Sequence, residues 1–492
     1  MQRCRQRNYP LTLSVWLRLS RRTVMVEGLR SRYKCSTSAC AIRMIERVSW
    51  LGMRFPKCSV RTHARSRRHD AMQDTSTLDI DLTAIDHNMS VLRRAVGNGC
   101  ALCPIVKADA YGLGVGRVAK RLVGAGAEML AVYSLRQAIE TAAAMNGAVP
   151  ILVLMPVVDI PREDELVRLM LAGQLHLVVH DEANLAALEA CAESIGVTLP
   201  VHLEIDVGMS RGGANPSEAS RIIRAVHESR RLLLRGVFAH FSHSRYDAAR
   251  TEDQLARYSL VVEANRRFIP TNTYEHVAST YALARDERYH RTMVRFGLAW
   301  LGYGIDELEA NAPLITRDAL RPVVRWSSTV VGAKVIAANC SVGYGARWTA
   351  SRRSTIGLIP VGYADGFPVA RLPAACGQQM IGVRTPHGTQ AYAPVIGAIN
   401  MDQITVDLTD LYDSSANDWI GCEAEIVGRN VDAPNHLPRL AAQSGLIVHE
   451  LLTRLNPRLT RVVSSDSLPT IAGSVAPTRS VDDATRANSA AG

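Results

Sequence analysis

Three things are missing from this 492-residue chain, and each absence removes a class of function. No uninterrupted apolar run approaches the roughly 18 residues that a bilayer span requires, so the sequence predicts no transmembrane helix and no membrane partner. No spacing of Cys, His, Asp or Glu suits a metal ion. The ten cysteines build no disulfide framework: Cys4, Cys35, Cys40 and Cys58 fall in the first 71 residues, and the rest are scattered or sit in apolar settings. That usage points to a reducing, cytoplasmic compartment. Cys100 and Cys103 have redox spacing but lead into no thioredoxin-type helix, and they read as a pair of half-buried thiols.

Acidic residues are scarce in one place only. Residues 1–71 carry 17 Lys and Arg against three acids, which leaves 40 basic and 43 acidic residues in 72–492. The formal net charge of +11 therefore belongs to the leader, and the body offers no basic face for nucleic acid. The leader is rich in Arg and Ser, lacks helical or strand periodicity and is expected to be disordered. Its apolar stretch Leu11–Leu17 is short and runs into Arg18, unlike a secretory signal. A nucleic-acid arm or an organelle transit peptide fits its composition; the favoured reading is a native start at Met72, directly before the first plausible strand.

From residue 77 a regular alternation sets in. A strand at 77–82 precedes a helix over 83–96, with Thr83 as its candidate N-cap. Strand-like and helix-like segments then alternate through Ala101–Val106, Met129–Tyr133, Val149–Met155, Leu175–Val179, Val201–Val207, Leu233–Phe241, Glu275–Val277 and Val294–Leu298. Eight parallel strands with helical crossovers predict an α/β fold of the TIM-type (β/α)8 barrel. From about Arg321 the pattern becomes alternating β, with a long segment at Val323–Val335 and shorter strands at Val395–Ile399, Gln403–Val406 and Glu423–Val427. Helical periodicity returns at Leu437–Leu455. The expected organisation is a leader at 1–71, the barrel at 72–318, a separate β-rich C-terminal domain at 319–463 and a disordered tail at 464–492, with the first strand available to the β-rich domain.

Barrel chemistry collects at the C-terminal ends of the strands. Lys107 follows the first of them, and a lysine there loses hydration, which favours its neutral, nucleophilic amine. Further strand exits carry Glu204, Asp206 and Arg211; His240; Ser279 and Thr280; and Arg295. Taken singly, each has an ordinary structural explanation, such as an Arg paired with Glu204 or a satisfied core histidine. Five such exits together predict a site.

Those residues carry a resemblance. Val106-Lys-Ala-Asp-Ala-Tyr-Gly-Leu-Gly114 resembles the pyridoxal-phosphate lysine motif of alanine racemases, which are fold-type III pyridoxal-phosphate enzymes, and Val294-Arg-Phe-Gly-Leu298 resembles their motif in the last barrel strand. Gly343-Tyr-Gly345, Pro360-Val-Gly-Tyr-Ala-Asp-Gly366 and Ile399-Asn-Met-Asp402 are similar to motifs of their C-terminal domain, in the same order across residues 77–463. The resemblance implies interconversion of L- and D-alanine with pyridoxal 5'-phosphate as cofactor, in a homodimer whose active sites are shared between subunits, supplying D-alanine to peptidoglycan. It implies that Lys107 holds the cofactor and serves as the base on the D-face of Cα, while Tyr344 of the partner subunit serves the L-face. Tyr111, Ser279, Thr280 and the amides of Gly297 and Leu298 would bind the phosphate, His240 would pack near the ring, and Arg295 would contact the pyridine nitrogen. Arg211, the amide of Met401 and Asp402 would meet the substrate carboxylate, with Tyr363 at the pocket entrance. His449 stands where the family usually has a tyrosine that contacts the phosphate. Glu204 stands where many relatives carry a carbamylated lysine, so no such modification is expected.

Other functions sit close by on this fold. A broad-specificity or serine-preferring racemase would keep the same motifs. An amino-acid decarboxylase would place an acidic group at the pyridine nitrogen and a cysteine in the second domain, where this chain has Arg295 and Tyr344. A non-catalytic pyridoxal-phosphate carrier would lack the β-rich domain.

Overall fold

The computed structural model describes residues 15–19, 22–26, 76–305, 308, 313–369, 378–413 and 415–464. Residues 1–70 and 71–492 are separate compact units. In the first unit, β1 (Val15–Leu19) and β2 (Arg22–Val26) pair antiparallel, with Val15 opposite Val26. The leader, expected to lack strand structure, therefore contains one ribbon; Val-Trp-Leu and Thr-Val-Met-Val are strand-forming runs that the Arg-rich composition obscures. The remaining leader, the start at Met72 and the tail from 465 lie outside the described residues.

β3 (Ser76–Asp81) buries alternate residues Ser76, Leu78 and Ile80. It pairs antiparallel with β12 (Val324–Thr329) and parallel with β21 (Thr460–Ser464), so the strand that precedes the barrel is part of the second sheet. Asp81, not Thr83, caps the helix Leu82–Val96: its carboxylate accepts from the amides of Thr83 and Ala84 at 2.8 and 3.1 Å. A charged acceptor wins over the Thr83 hydroxyl, which itself donates to Asp81.

Eight parallel strands follow: β4 (Ala101–Pro104), β5 (Leu130–Val132), β6 (Ile151–Pro156), β7 (Leu175–Val179), β8 (Leu199–Glu204), β9 (Leu232–Phe238), β10 (Tyr274–His276) and β11 (Met293–Phe296). β5 to β10 are neighbours in chain order, and β11 returns beside β4, pairing Arg295 with Cys103. Backbone bonds close the remaining seams, from Val106 N to Ala131 O (2.8 Å) and from Arg295 N to Ala278 O (3.1 Å). Cys103, Ala131, Leu152, Val178, Phe238 and Met293 fill the interior, as a packed barrel requires. Burial pushes the Cys100 thiol up to about 11 and Cys103 to about 12, so neither supplies a thiolate at neutral pH.

The second sheet has nine strands in the order β13 (Gly332–Ile336), β16 (Ser354–Ile359), β19 (Ile404–Asp407), β18 (Gln390–Ile396), β17 (Met380–Arg384), β20 (Glu423–Val427), β12, β3, β21. The expected single segment Val323–Val335 is two strands, because Val330 bonds to Cys422 while Val331 bonds to Leu358, and the chain changes partners between them. The expected helix Leu437–Leu455 is likewise divided, into Leu437–Gln443 and Val448–Thr453, with Gly445 at φ +67° in the turn.

After β4 the chain does something the sequence does not suggest. Ala108, Asp109, Ala110 and Tyr111 all have left-handed φ/ψ, from φ 52° to 59°. Each such residue costs about 1–2 kcal/mol, so the turn persists only because its surroundings hold it. The Gly114 amide donates to Asp109 O, and the Asp109 carboxylate accepts from Val115 N at 2.7 Å, starting the helix Val115–Gly124. At the other end Arg461 Nε donates to Gly112 O (2.9 Å), while its Nη groups donate to the carbonyls of Leu455, Asn456, Pro457 and Leu459. Five carbonyls meet one guanidinium, which ties the turn to the last strand of the second sheet. Arg461→Met removes those bonds and is expected to lower stability in urea by about 2 kcal/mol while far-ultraviolet circular dichroism stays the same. A wild-type midpoint would show that the turn holds itself.

Candidate active site

A cavity of about 710 Å³ opens at the C-terminal ends of the barrel strands. Lys107, Tyr111, Glu204, Arg211, His240, Ser279, Thr280, Arg295, Gly297, Leu298 and His449 all line it, so eleven of the residues singled out in the sequence meet in one place. Lys107 leaves β4 and opens onto the cavity. Burial, with the nearby Arg211 charge second, holds its ammonium below the usual lysine range, which increases the fraction of free amine.

Tyr111 is buried at the end of the left-handed turn, and burial pushes its phenol up, so it remains a neutral donor. A Cβ on Gly297 would overlap its hydroxyl. The missing side chain at Gly297 is what lets the phenol reach the loop after β11. Ser244 and Ser279 hydroxyls lie 3.4 Å apart beside it, and Thr280 Oγ1 accepts from Ala299 N at 3.3 Å. Hydroxyls from three chain segments and the glycine loop thus form one polar end of the cavity. His449 packs against Tyr111 with the rings tilted by 54° and their centroids 5.7 Å apart; burial and then the Lys107 charge lower it to about 4. It is neutral at pH 7 and able to donate one N–H.

Two residues before Gly297, within β11, lies Arg295. It is buried, sits over the Phe238 ring at 4.8 Å, and donates to His276 Nδ1, His276 O and Ala239 O at 2.6, 2.6 and 3.1 Å. His240 is lowered to about 3 by burial first and then by Arg295, Arg211 and Lys107. Three cations around one imidazole oppose its taking up a second proton, so the ring is neutral at pH 7.

Arg211 is presented by a loop that Asp206 builds. The Asp206 carboxylate accepts from the amides of Gly208, Met209 and Ser210 at 2.9, 3.0 and 3.1 Å, and Ser210 takes φ +56°. Asp206 is therefore a scaffold of the loop, and it does not line the cavity. Glu204 does: it is buried with Oε2 3.1 Å from His180 Nδ1, close but not aligned as a hydrogen bond. His180 and Ser244 escaped the sequence reading although both follow barrel strands, at the exits of β7 and β9, where the same rule that found Lys107 applies.

Four expected residues lie elsewhere. Tyr344 is 78% exposed, Met401 54% and Tyr363 47%, and none of them lines the cavity of its own chain. Asp402 pairs with Arg458 at 2.8 Å. The loops carrying them converge, since Gly362 packs against Met401 and Gly343 against Ala398.

Two outcomes are expected from this geometry. Gly297→Ala forces its methyl into Tyr111 Oη and is expected to cost about 1–3 kcal/mol, and the double variant with Tyr111→Phe is expected to recover most of it in thermal melts; additive losses would mean the two residues do not touch. The histidines set a pH window. With His449 held at about 4 and His240 at about 3, the unfolded chain takes up protons below pH 6.5 that the folded chain does not. Stability should accordingly be full above pH 6.5 and fall towards pH 4, by up to about 1.4 kcal/mol per pH unit per ring. Replacing both rings with Gln should make a urea titration less steep across that window, the remaining slope coming from the other buried histidines, His176, His202, His276 and His436.

The alanine racemase N-terminal domain family matches residues 80–304, and the alanine racemase C-terminal domain family matches 323–463. The chain is 32% identical over 397 residues to the alanine racemase of Treponema pallidum, covering 78% of this chain and 97% of that one. It is 29% identical over 384 residues to the alanine racemase of Halothermothrix orenii, covering 78% and 95%. Among solved structures, alanine racemase from Streptomyces coelicolor aligns with TM-score 0.68 at 27% identity, covering 79% of this chain and 97% of that one. The Bartonella henselae enzyme, described with covalently bound pyridoxal phosphate, shares the fold with TM-score 0.64 at 24% identity, covering 79% and 99%. With both domains matched in order and one cavity between a strand-end lysine and a glycine loop, the chain belongs to the alanine racemase family of pyridoxal-phosphate-dependent enzymes.

Proposed function

We propose that this enzyme interconverts L-alanine and D-alanine by a two-base mechanism, with Lys107 on one face of the substrate Cα and Tyr344 of the partner subunit on the other. The observation that carries the proposal is the convergence of Lys107, Arg295 and the Tyr111–Gly297 cradle in one cavity while Tyr344 stands exposed outside it. The cavity fits the cofactor: a lysine at its mouth, a buried cation in its wall, and hydroxyl donors from Tyr111, Ser279 and Thr280 beside the amides of Gly297 and Leu298 at its polar end. When bound, pyridoxal phosphate supplies a conjugated ring that draws electrons from Cα and so acidifies its proton.

The chain's own residues divide the remaining work. Lys107, with its ammonium destabilised by burial, holds the cofactor and takes or returns the proton on its face. Arg295, a permanent cation lining the cavity, would meet the ring nitrogen, keep it unprotonated and so moderate electron withdrawal. Arg211, Met401 N and Asp402 orient the substrate carboxylate, the latter two from the partner subunit's surface loops, and Glu204 supplies the negative charge beside the Arg211 loop without a modified lysine. His449 completes the phosphate end. A phenol oxygen brought against His240 would meet a neutral acceptor amid the charges of Arg211 and Arg295, which favour negative charge there. In a cell such a cytoplasmic enzyme would supply D-alanine for cell-wall peptidoglycan.

The division between subunits gives a direct test. Lys107→Ala should lose the visible absorbance of bound cofactor together with racemisation, and Tyr344→Phe should keep the absorbance and lose racemisation in both directions. Refolding the two inactive variants together in equal amounts should restore about a quarter of wild-type activity, because half the dimers are hybrid and each hybrid has one complete site. Failure to recover any activity, with dimers formed, would place both bases in one chain.

A further inference from the structure

Three histidines run through the barrel interior and end on Arg295. His176 is on β7, His202 on β8 and His276 on β10, and all are buried. His176 Nδ1 lies 2.9 Å from His202 Nε2, His202 Nδ1 lies 2.8 Å from His276 Nε2, and His276 Nδ1 receives Arg295 Nη1 at 2.6 Å. β9 lies between β8 and β10, and Gly236 on it faces His202 in register; a Cβ there would overlap the His202 ring. The glycine is the opening through which the row passes.

Only one assignment of protons fits this row. A guanidinium has donors and no acceptor, so His276 Nδ1 must be the acceptor and its proton must sit on Nε2. That proton needs an acceptor, which makes His202 Nδ1 bare and His202 Nε2 protonated, and the same step fixes His176. All three rings are then neutral Nε2–H tautomers whose electron-rich nitrogens point toward Arg295. The direction of their titration agrees: burial lowers His176 to about 4, with the Gly173 backbone as a counteracting hydrogen bond at the far end, and holds His202 and His276 well below the usual histidine range. Among the described residues no carboxylate pairs with Arg295; besides lying over the Phe238 ring, its guanidinium donates to two backbone carbonyls and to this row.

We infer that His202 and His176 are positioning residues, which together with His276 form a polarised rod of aligned imidazole dipoles that fixes the orientation of the Arg295 guanidinium and balances its charge inside the barrel. The rod reaches Arg295 from the side away from the cavity, so the guanidinium edge that faces the cavity is left for the cofactor's ring. The functional part rests on Arg295 facing that ring; the tautomers do not.

The tautomers are read first, in the full chain without added cofactor, by ¹⁵N NMR of histidine-labelled protein at pH 7. Expected are three rings with protonated Nε2 and bare Nδ1; a proton on Nδ1 of His202 or His276, or a cationic ring among the three, overturns the rod. His176→Phe leaves the His202 N–H without its acceptor, whereas His176→Gln restores one through the amide oxygen. In the holoenzyme, His176→Phe is expected to lower kcat about tenfold with KM within about twofold and to shift the visible absorbance of bound cofactor, and His176→Gln to return kcat to within about threefold of wild type. Equal kcat in both variants, or an equal loss in both, overturns the positioning role. Should His176→Phe not fold, His176→Leu, which also removes the acceptor, replaces it, with the same spectral shift expected and an unchanged spectrum decisive against the positioning role. Correct tautomers with silent variants would leave the proton arrangement standing and overturn the positioning of Arg295 by it.

Discussion

Everything in the site depends on the closure of the barrel between its first and last strands. β4 delivers Lys107 and β11 delivers Arg295 and the Gly297 loop, about as far apart in the barrel's sequence as two strands can be, and their parallel pairing puts Arg295 beside Cys103. Trp300 reinforces the seam by donating its indole N–H to Ile105 O at 3.0 Å. Closure is a non-local contact whose loop entropy must be met before it contributes anything. A large, dry interior layer and seven preceding βα units supply that stabilisation, and the chemistry is assembled as a consequence.

The electrostatic character of the cavity follows from what closure brings together. Lys107, Arg211, Arg245 and Arg295 share one space, and Glu204, 3.1 Å from His180, is the one acid among the described residues that line it. Such an excess of positive charge would be unfavourable if the histidines were also cationic; instead burial and the cations hold His240, His276 and His449 neutral. The imidazoles act here as uncharged donors and acceptors that accommodate cations without cancelling them, which leaves net positive potential for an anionic ligand carrying phosphate and carboxylate groups. Arg461 plays the comparable part for the backbone, with five carbonyls in place of a carboxylate.

Much of this was legible in the residues themselves. The alternation of periods gave eight strands and eight exits, and the exit rule alone led to Lys107, Arg211, His240, Thr280 and Arg295. It also reached Asp206, whose three amide contacts show that a carboxylate at a strand exit can be spent on building its loop. The left-handed turn was not legible, because Ala and Tyr carry no local preference for positive φ and one Asp, which tolerates it, does not signal four such residues in a row; the conformation is imposed from Gly112, Arg461 and the burial of Tyr111. His176 and His202 were hidden for a different reason: in strands buried on both faces, a histidine looks like one more interior residue, and only the three-dimensional register aligns them. In the second domain β16 and β17 went unrecognised, since Ser354–Ile359 and Met380–Arg384 are short and interrupted by Gly357 and Gly382.

The exposure of Tyr344 has consequences for how the enzyme is organised. A tyrosine 78% exposed on a β-rich surface, in a loop packed near those of Tyr363 and Met401, has no structural reason to be there. If the two bases reside in different chains, each cavity remains open until a second copy covers it, and water leaves only on association. The lysine would then be protected from side reactions in the state in which it can act, and catalysis would depend on the dimer equilibrium as strongly as on any side chain within the barrel.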